Sequence, residues 1–117
     1  MKIRLTTDTD SFDATLNNSA AARDFAALLP LTLTLTDYAG TEKVSDLPQK
    51  LSTTGAPSGT AAQAGDLAYY APWGNLAIFH KDFRHSEGLV KLGAFTSGID
   101  QFAAHDGAFG VTITTAD

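Results

Sequence analysis

The stretch P-L-T-L-T-L-T, Pro30 to Thr36, sets Leu31, Leu33 and Leu35 on one side of an extended chain and Thr32, Thr34 and Thr36 on the other. Successive side chains of a strand leave opposite faces, so this alternation asks for one face in a core and one in water. The same period of two recurs along the chain. Ile3 and Leu5 alternate with Lys2 and Arg4, and Phe12, Ala14 and Leu16 alternate with Ser11, Asp13 and Thr15. Phe109, Val111 and Ile113 alternate with Gly110, Thr112 and Thr114. T-T-D-T-D lies between the first two strands and carries turn-forming residues, which predicts a hairpin. D-Y-A-G turns the threonine-rich strand, and T-E-K-V-S-D-L pairs back on it. Asp66–Tyr70 and Leu76–His80 read as strands around A-P-W-G-N, and Leu89–Phe95 reads as another.

The period changes twice. From Asn18 or Ser19, either of which suits an N-cap, Ala22, Phe25, Ala26 and Leu29 fall on one helical stripe that Pro30 ends. Gly98–His105 reads as a short helix with Ile99, Phe102 and Ala103 inward and Gly107 as its stop. Pro48 to Ala64 is rich in Ser, Thr, Gly and Ala, and reads as a long loop, either functional or mobile. About eight strands and two helices in 117 residues predict a mainly β fold, a small closed barrel in a single domain over residues 1–117. Closure removes the exposed edges that so many short strands would otherwise present. Two helices are too few to cover both faces of an open sheet.

Composition narrows the partners. With 44% hydrophobic and 18% charged residues the chain is an ordinary globular one. Its net charge of −5 lacks the cations that would release counterions from a polyphosphate or an anionic membrane, so neither is an expected partner. Without cysteine, disulfides and thiolate metal sites are excluded. M-K-I-R-L-T-T-D-T-D turns polar after five residues and does not resemble a secretory leader, and no segment reaches the length of a membrane span. The expectation is a cytoplasmic protein.

The order of elements carries a resemblance. S-A-A-A-R-D-F-A-A-L-L, the threonine-rich strand, the long loop, G-D-L-A-Y-Y and L-V-K-L-G-A-F-T-S-G-I-D-Q-F-A-A together resemble a reduced cyclophilin barrel. G-T-E-K, A-G-D-L-A-Y-Y-A-P-W-G-N-L-A-I-F and L-V-K-L-G are similar to a bacterial and archaeal group of small cyclophilin-like domains of uncharacterised function. For activity the resemblance argues the other way. Cyclophilin-type prolyl isomerases carry an arginine on the strand after the first helix, in a motif of the type Phe-His-Arg. The matching stretch here, Leu31 to Val44, has none; the arginines are Arg4, Arg23 and Arg84. Lys43 lies nearby, but an ammonium does not reproduce a planar fork of donors. The tryptophan and histidine of the cyclophilin groove are also missing, Ser86 to Leu89 standing in that neighbourhood. The strand that lines the family's proline pocket becomes G-N-L-A-I-F, in which Asn75 and Phe79 keep a polar-then-aromatic character.

The residues around the second hairpin admit two readings. Tyr69, Tyr70 and Phe79 can pack on the faces of the hairpin with P-W-G-N as its turn. Alternatively Trp73 and one tyrosine stand at the barrel rim as the wall of a concave site, since a tryptophan in a turn is harder to bury than one in mid-strand. Glu42 follows the Y-A-G turn at the rim, where it is either a surface charge or a ligand's hydrogen-bond acceptor. His80, His85 and His105, with Asp82 and Glu87 near, lack the spacing of a metal site and read as solvated. Asp8 and Asp10 belong to a turn. No G-x-S-x-G or S-x-x-K is present, and the glycines of S-G-T-A-A-Q-A-G-D lack the lysine of a phosphate loop.

These readings predict a binding module without efficient catalysis, metal or cofactor. Its groove at the rim is lined by Tyr38, Glu42, Tyr70, Trp73, Asn75 and Phe79, and takes a peptide or a small organic ligand. The alternatives are a divergent prolyl isomerase and a protein–protein interaction domain.

Overall fold

A computed structural model describes residues 1–116. Ten strands and two helices follow one another: β1 (Lys2–Thr6), β2 (Ser11–Leu16), α1 (Ala20–Ala27), β3 (Leu31–Tyr38), β4 (Glu42–Asp46), β5 (Gly59–Ala62), β6 (Asp66–Tyr70), β7 (Asn75–Phe79), β8 (Phe83–Glu87), β9 (Leu89–Phe95), α2 (Ile99–Ala103) and β10 (Phe109–Thr115). Eight of the strands close into an antiparallel barrel in the order β1-β10-β3-β4-β7-β6-β9-β2, with β1 pairing both β10 and β2. The closed, mainly β architecture expected from the alternating segments is the one observed.

Each alternating segment buries the face its pattern assigns. Ile3, Leu5, Phe12, Ala14, Leu16, Leu33, Leu35, Val111 and Ile113 fill the barrel, while the intervening Lys2, Arg4, Asp13 and Thr34 stay outside. Turn chemistry sets the joints. The Thr7 amide donates to the Asp10 carbonyl at 2.8 Å between β1 and β2. Ala39 and Gly40 both take left-handed φ, 54° and 69°, to join β3 to β4.

The helices close the barrel's two ends. α1 leaves the end of β2 and leads into β3; Ser19 is its N-cap, accepting from the Ala22 amide at 3.1 Å, and Ala21, Ala22 and Phe25 are buried. α2 joins β9 to β10, and its buried Phe102 meets Phe12, Phe95 and Phe109 with ring centroids 5.0–5.5 Å apart.

Two expectations are corrected. Pro48–Ala64 is not loop throughout: residues 48–58 carry no helix or strand and Gly59–Ala62 form a strand. Leu51 is buried in the barrel core, its amide donates to the Tyr69 hydroxyl at 3.2 Å, and the Ser52 amide donates to Asp24 on α1 at 2.7 Å. Its second half forms β5. The segment after His80, read as a solvated loop, contains β8, and β5 and β8 pair as a separate two-stranded sheet. That small sheet lies on the outside of the barrel wall. Ala62 and Phe83 join Ala68, Ala77, Phe79 and Leu89 in a second apolar cluster, distinct from the one inside the barrel.

Candidate functional site

Because β6 and β7 are covered on both sides, they are apolar on both sides. Leu67, Tyr69, Leu76 and Ile78 point into the barrel, whereas Ala68, Ala77 and Phe79 face outward into the second cluster. The pairing Glu42↔Phe79, Val44↔Ala77 and Asp46↔Asn75 places Glu42 and Val44 on that same outer face. Where the β5–β8 sheet stops covering the wall, a hollow of about 160 Å³ remains, lined by Val44, Phe83, Ser86, Leu89 and all six residues singled out in the sequence. The hollow therefore lies on the outer wall of the barrel rather than at its mouth, which α1, α2 and Leu51 fill.

The turn between β6 and β7 explains the position of Trp73. Ala71 to Gly74 make a tight turn in which the Gly74 amide donates to the Tyr70 carbonyl at 2.9 Å, and Gly74 takes φ 66°. This throws the indole out of the sheet, 55% exposed. It meets Tyr38 with centroids 5.4 Å apart at 82° and Tyr70 at 5.2 Å and 87°. Edge-to-face contacts of this kind hold rings without stacking them flat, so the three aromatics form the walls of a corner. Pro72, on the same turn, sits against Gly88, where a Cβ would meet the proline ring at 2.7 Å.

The floor is different. Phe79 is buried and touches Phe83 of β8 at 5.6 Å between centroids. The hairpin residues thus divide: Tyr69 and Phe79 are packed in the two apolar clusters, while Trp73 and Tyr70 border the hollow.

Two polar side chains enter this apolar setting. Asn75 is 5% exposed, and its Oδ1 is buried without a hydrogen-bond partner. Glu42 is also buried; burial pushes its carboxyl above the usual 4.5, partly offset by the hydrogen bond from the Thr41 hydroxyl at 3.3 Å. Its neighbour Lys43 points the other way, into the barrel, where Nζ meets Asp37 and the His105 carbonyl, each at 2.6 Å.

The remaining charged and titratable groups lie elsewhere. Arg4 pairs with Asp13, Arg23 donates to Asn18, and the Arg84 guanidinium lies over the outer ring Phe83 at 5.1 Å; none of the three lines the hollow. His85 pairs with Glu87 at 2.8 Å and His105 stacks on Phe109 at 4.7 Å. Burial and the nearby Lys43 push the His80 imidazole below its usual range. Among the described residues no three His, Asp or Glu side chains converge as metal ligands, and no helix is long and apolar enough to cross a membrane.

Val44, Phe83, Ser86 and Leu89 were missed in the sequence. The unbroken apolar run L-A-I-F in β7 was the available signal, since a strand apolar at every position must be covered on both faces.

Comparisons with known proteins agree with this architecture. No curated protein matches the chain. A solution structure of a hypothetical protein from Archaeoglobus fulgidus superimposes with a TM-score of 0.72 at 15% identity, covering 99% of this chain and 95% of that one. At that identity the likeness is one of fold. The model of the Cyclophilin-like family matches residues 5–114, nearly the whole barrel, and the chain belongs to that family.

Proposed function

We propose that this cyclophilin-like domain is a binding module whose outer-wall hollow takes a small organic group, free or carried on a peptide. One observation carries the reading. Asn75 Oδ1 is buried and unpaired on an apolar hollow beside three aromatic walls. A buried amide oxygen without a donor costs about 1–3 kcal/mol, and a ligand N–H or O–H removes that cost on binding. The size is suitable: an apolar cavity of roughly 150 Å³ holds a benzene-sized group. The acidic balance of the chain supports an uncharged or cationic partner over a nucleic acid.

Prolyl isomerisation is the competing reading. It needs a group that favours the twisted amide, and no guanidinium lines this hollow. The proposal expects a protease-coupled assay to show no acceleration attributable to Asn75 or Phe79.

The direct experiment uses the chain's single tryptophan. Proline-containing peptides and pooled small metabolites are titrated while Trp73 fluorescence is followed, in the native protein and in Asn75→Leu. A saturable response in the first that is lost in the second supports the proposal. No response to either pool, or an undiminished response in Asn75→Leu, overturns it.

A further inference from the structure

We infer that the hollow selects a small alkylammonium compound that carries a hydrogen-bond donor beside its cationic head. The inference rests on the hollow being a ligand site and adds the chemistry of the ligand. Three observations point the same way.

The first is the arrangement of the rings. Tyr38, Trp73 and Tyr70 line one hollow with the indole near-perpendicular to both phenols. Aromatic faces carry negative charge density, and a corner of electron-rich rings attracts a cation that is too weakly hydrated to resist desolvation, as an alkylated ammonium is. This neighbourhood already uses the interaction, with Arg84 over the outer ring Phe83 at 5.1 Å.

The second is charge. Glu42 is the one charged side chain among the lining residues. The nearest cation in sequence, Lys43, faces the barrel interior and is taken up by Asp37. No cationic side chain is itself among the lining residues, and Arg84 lies over Phe83 at the far wall, so a ligand cation at the aromatic corner meets the carboxylate of Glu42. Burial has raised the cost of that carboxylate's charge, and an incoming cation offsets it.

The third is Asn75. Its unpaired Oδ1 accepts but cannot donate, so it asks for an N–H or O–H on the ligand. A purely apolar occupant leaves it unsatisfied, and an anion meets both it and Glu42 unfavourably.

Three probes separate these contributions through Trp73 fluorescence and amide shifts. Choline has the quaternary head and a hydroxyl donor. 3,3-Dimethyl-1-butanol keeps its shape and hydroxyl without the charge. Ethyltrimethylammonium keeps the charge without the donor. The expected result is saturable binding of choline, about ten-fold weaker binding of the neutral isostere and several-fold weaker binding of ethyltrimethylammonium. Glu42→Gln is expected to lower choline affinity several-fold and leave the neutral isostere unchanged, a pattern that a folding defect does not produce.

Equal binding of choline and 3,3-dimethyl-1-butanol overturns the inference while leaving the hollow a ligand site. No saturable change with choline also overturns it. Only if the peptides and metabolite pool fail as well does the proposed function fall with it.

Discussion

The indole of Trp73 stands edge-to-face on the ring of Tyr70, their centroids 5.2 Å apart and their planes at 87°. Both residues belong to one hairpin, yet they border a hollow whose other walls come from β3, β4, β8 and β9. The turn is held in place at the border of the hollow: its backbone is tied by the Gly74 amide, and its ring is held between two phenols.

Two aromatic residues of the same hollow are expected to behave differently on truncation. Phe79 is buried in the second apolar cluster, so Phe79→Ala costs about 3 kcal/mol or more by loss of packing. Trp73 is 55% exposed and its ring contacts are edge-to-face with Tyr38 and Tyr70, so Trp73→Ala costs about 1 kcal/mol. Urea denaturation monitored by circular dichroism gives both values, and equal losses would contradict the division into floor and wall.

Asn75 is expected to trade stability for binding. Asn75→Leu removes a buried acceptor that has no partner and places apolar volume at a hollow with room for it. The expected outcome is a gain of about 1 kcal/mol in unfolding free energy together with loss of the Trp73 response to ligand. A destabilised variant that still binds would contradict the role given to the amide oxygen.

Glu42 sets a pH dependence whose sign follows from burial. Its folded-state pKa lies above 4.5, so the native state holds the proton more tightly than the unfolded chain does. The stability this contributes is fully present below the ordinary carboxylate range and is lost as pH rises through the raised value. Glu42→Gln, which cannot ionise, is therefore expected to be more stable than the native protein near neutral pH. The gap should close in acid. Paired urea melts across that range check it, and a gap that widens toward acid would reverse the assignment.

The closing seam between β2 and β9 has no room for a side chain at Gly93, where a Cβ would run into the Thr15 carbonyl. Gly93→Ala is expected to cost about 2 kcal/mol through forced separation of the strands. Retention of full stability in a thermal melt would contradict the tight closure of the barrel at that edge.

Much of this was legible in the residues. Alternation in β1, β2, β3 and β10 named the inward set correctly because water wets their other face, and one-sided burial is what a period of two records. The helix α1 was equally plain, from its cap at Ser19 to its apolar stripe. β5 and β8 were not. G-T-A-A has no bulky apolar residue, and F-R-H-S-E turns only Phe83 and Ser86 partly inward, so neither carries an alternation strong enough to see. The six hollow residues were named together, but their place was not. Periodicity separates two faces of a strand without saying which one lies inside the barrel, and only the unseen β5–β8 sheet shows that the outer face is covered.

The most direct test of the central claim is an amide chemical-shift map of the labelled protein against the peptides and pooled metabolites. The account predicts shifts concentrated at Glu42, Tyr70, Trp73, Asn75 and Phe79, on the outer wall, with Leu5 and Ile113 inside the barrel unmoved. Shifts concentrated instead around Asn17, Arg23 and Lys91, which line a separate depression beside α1, would contradict it.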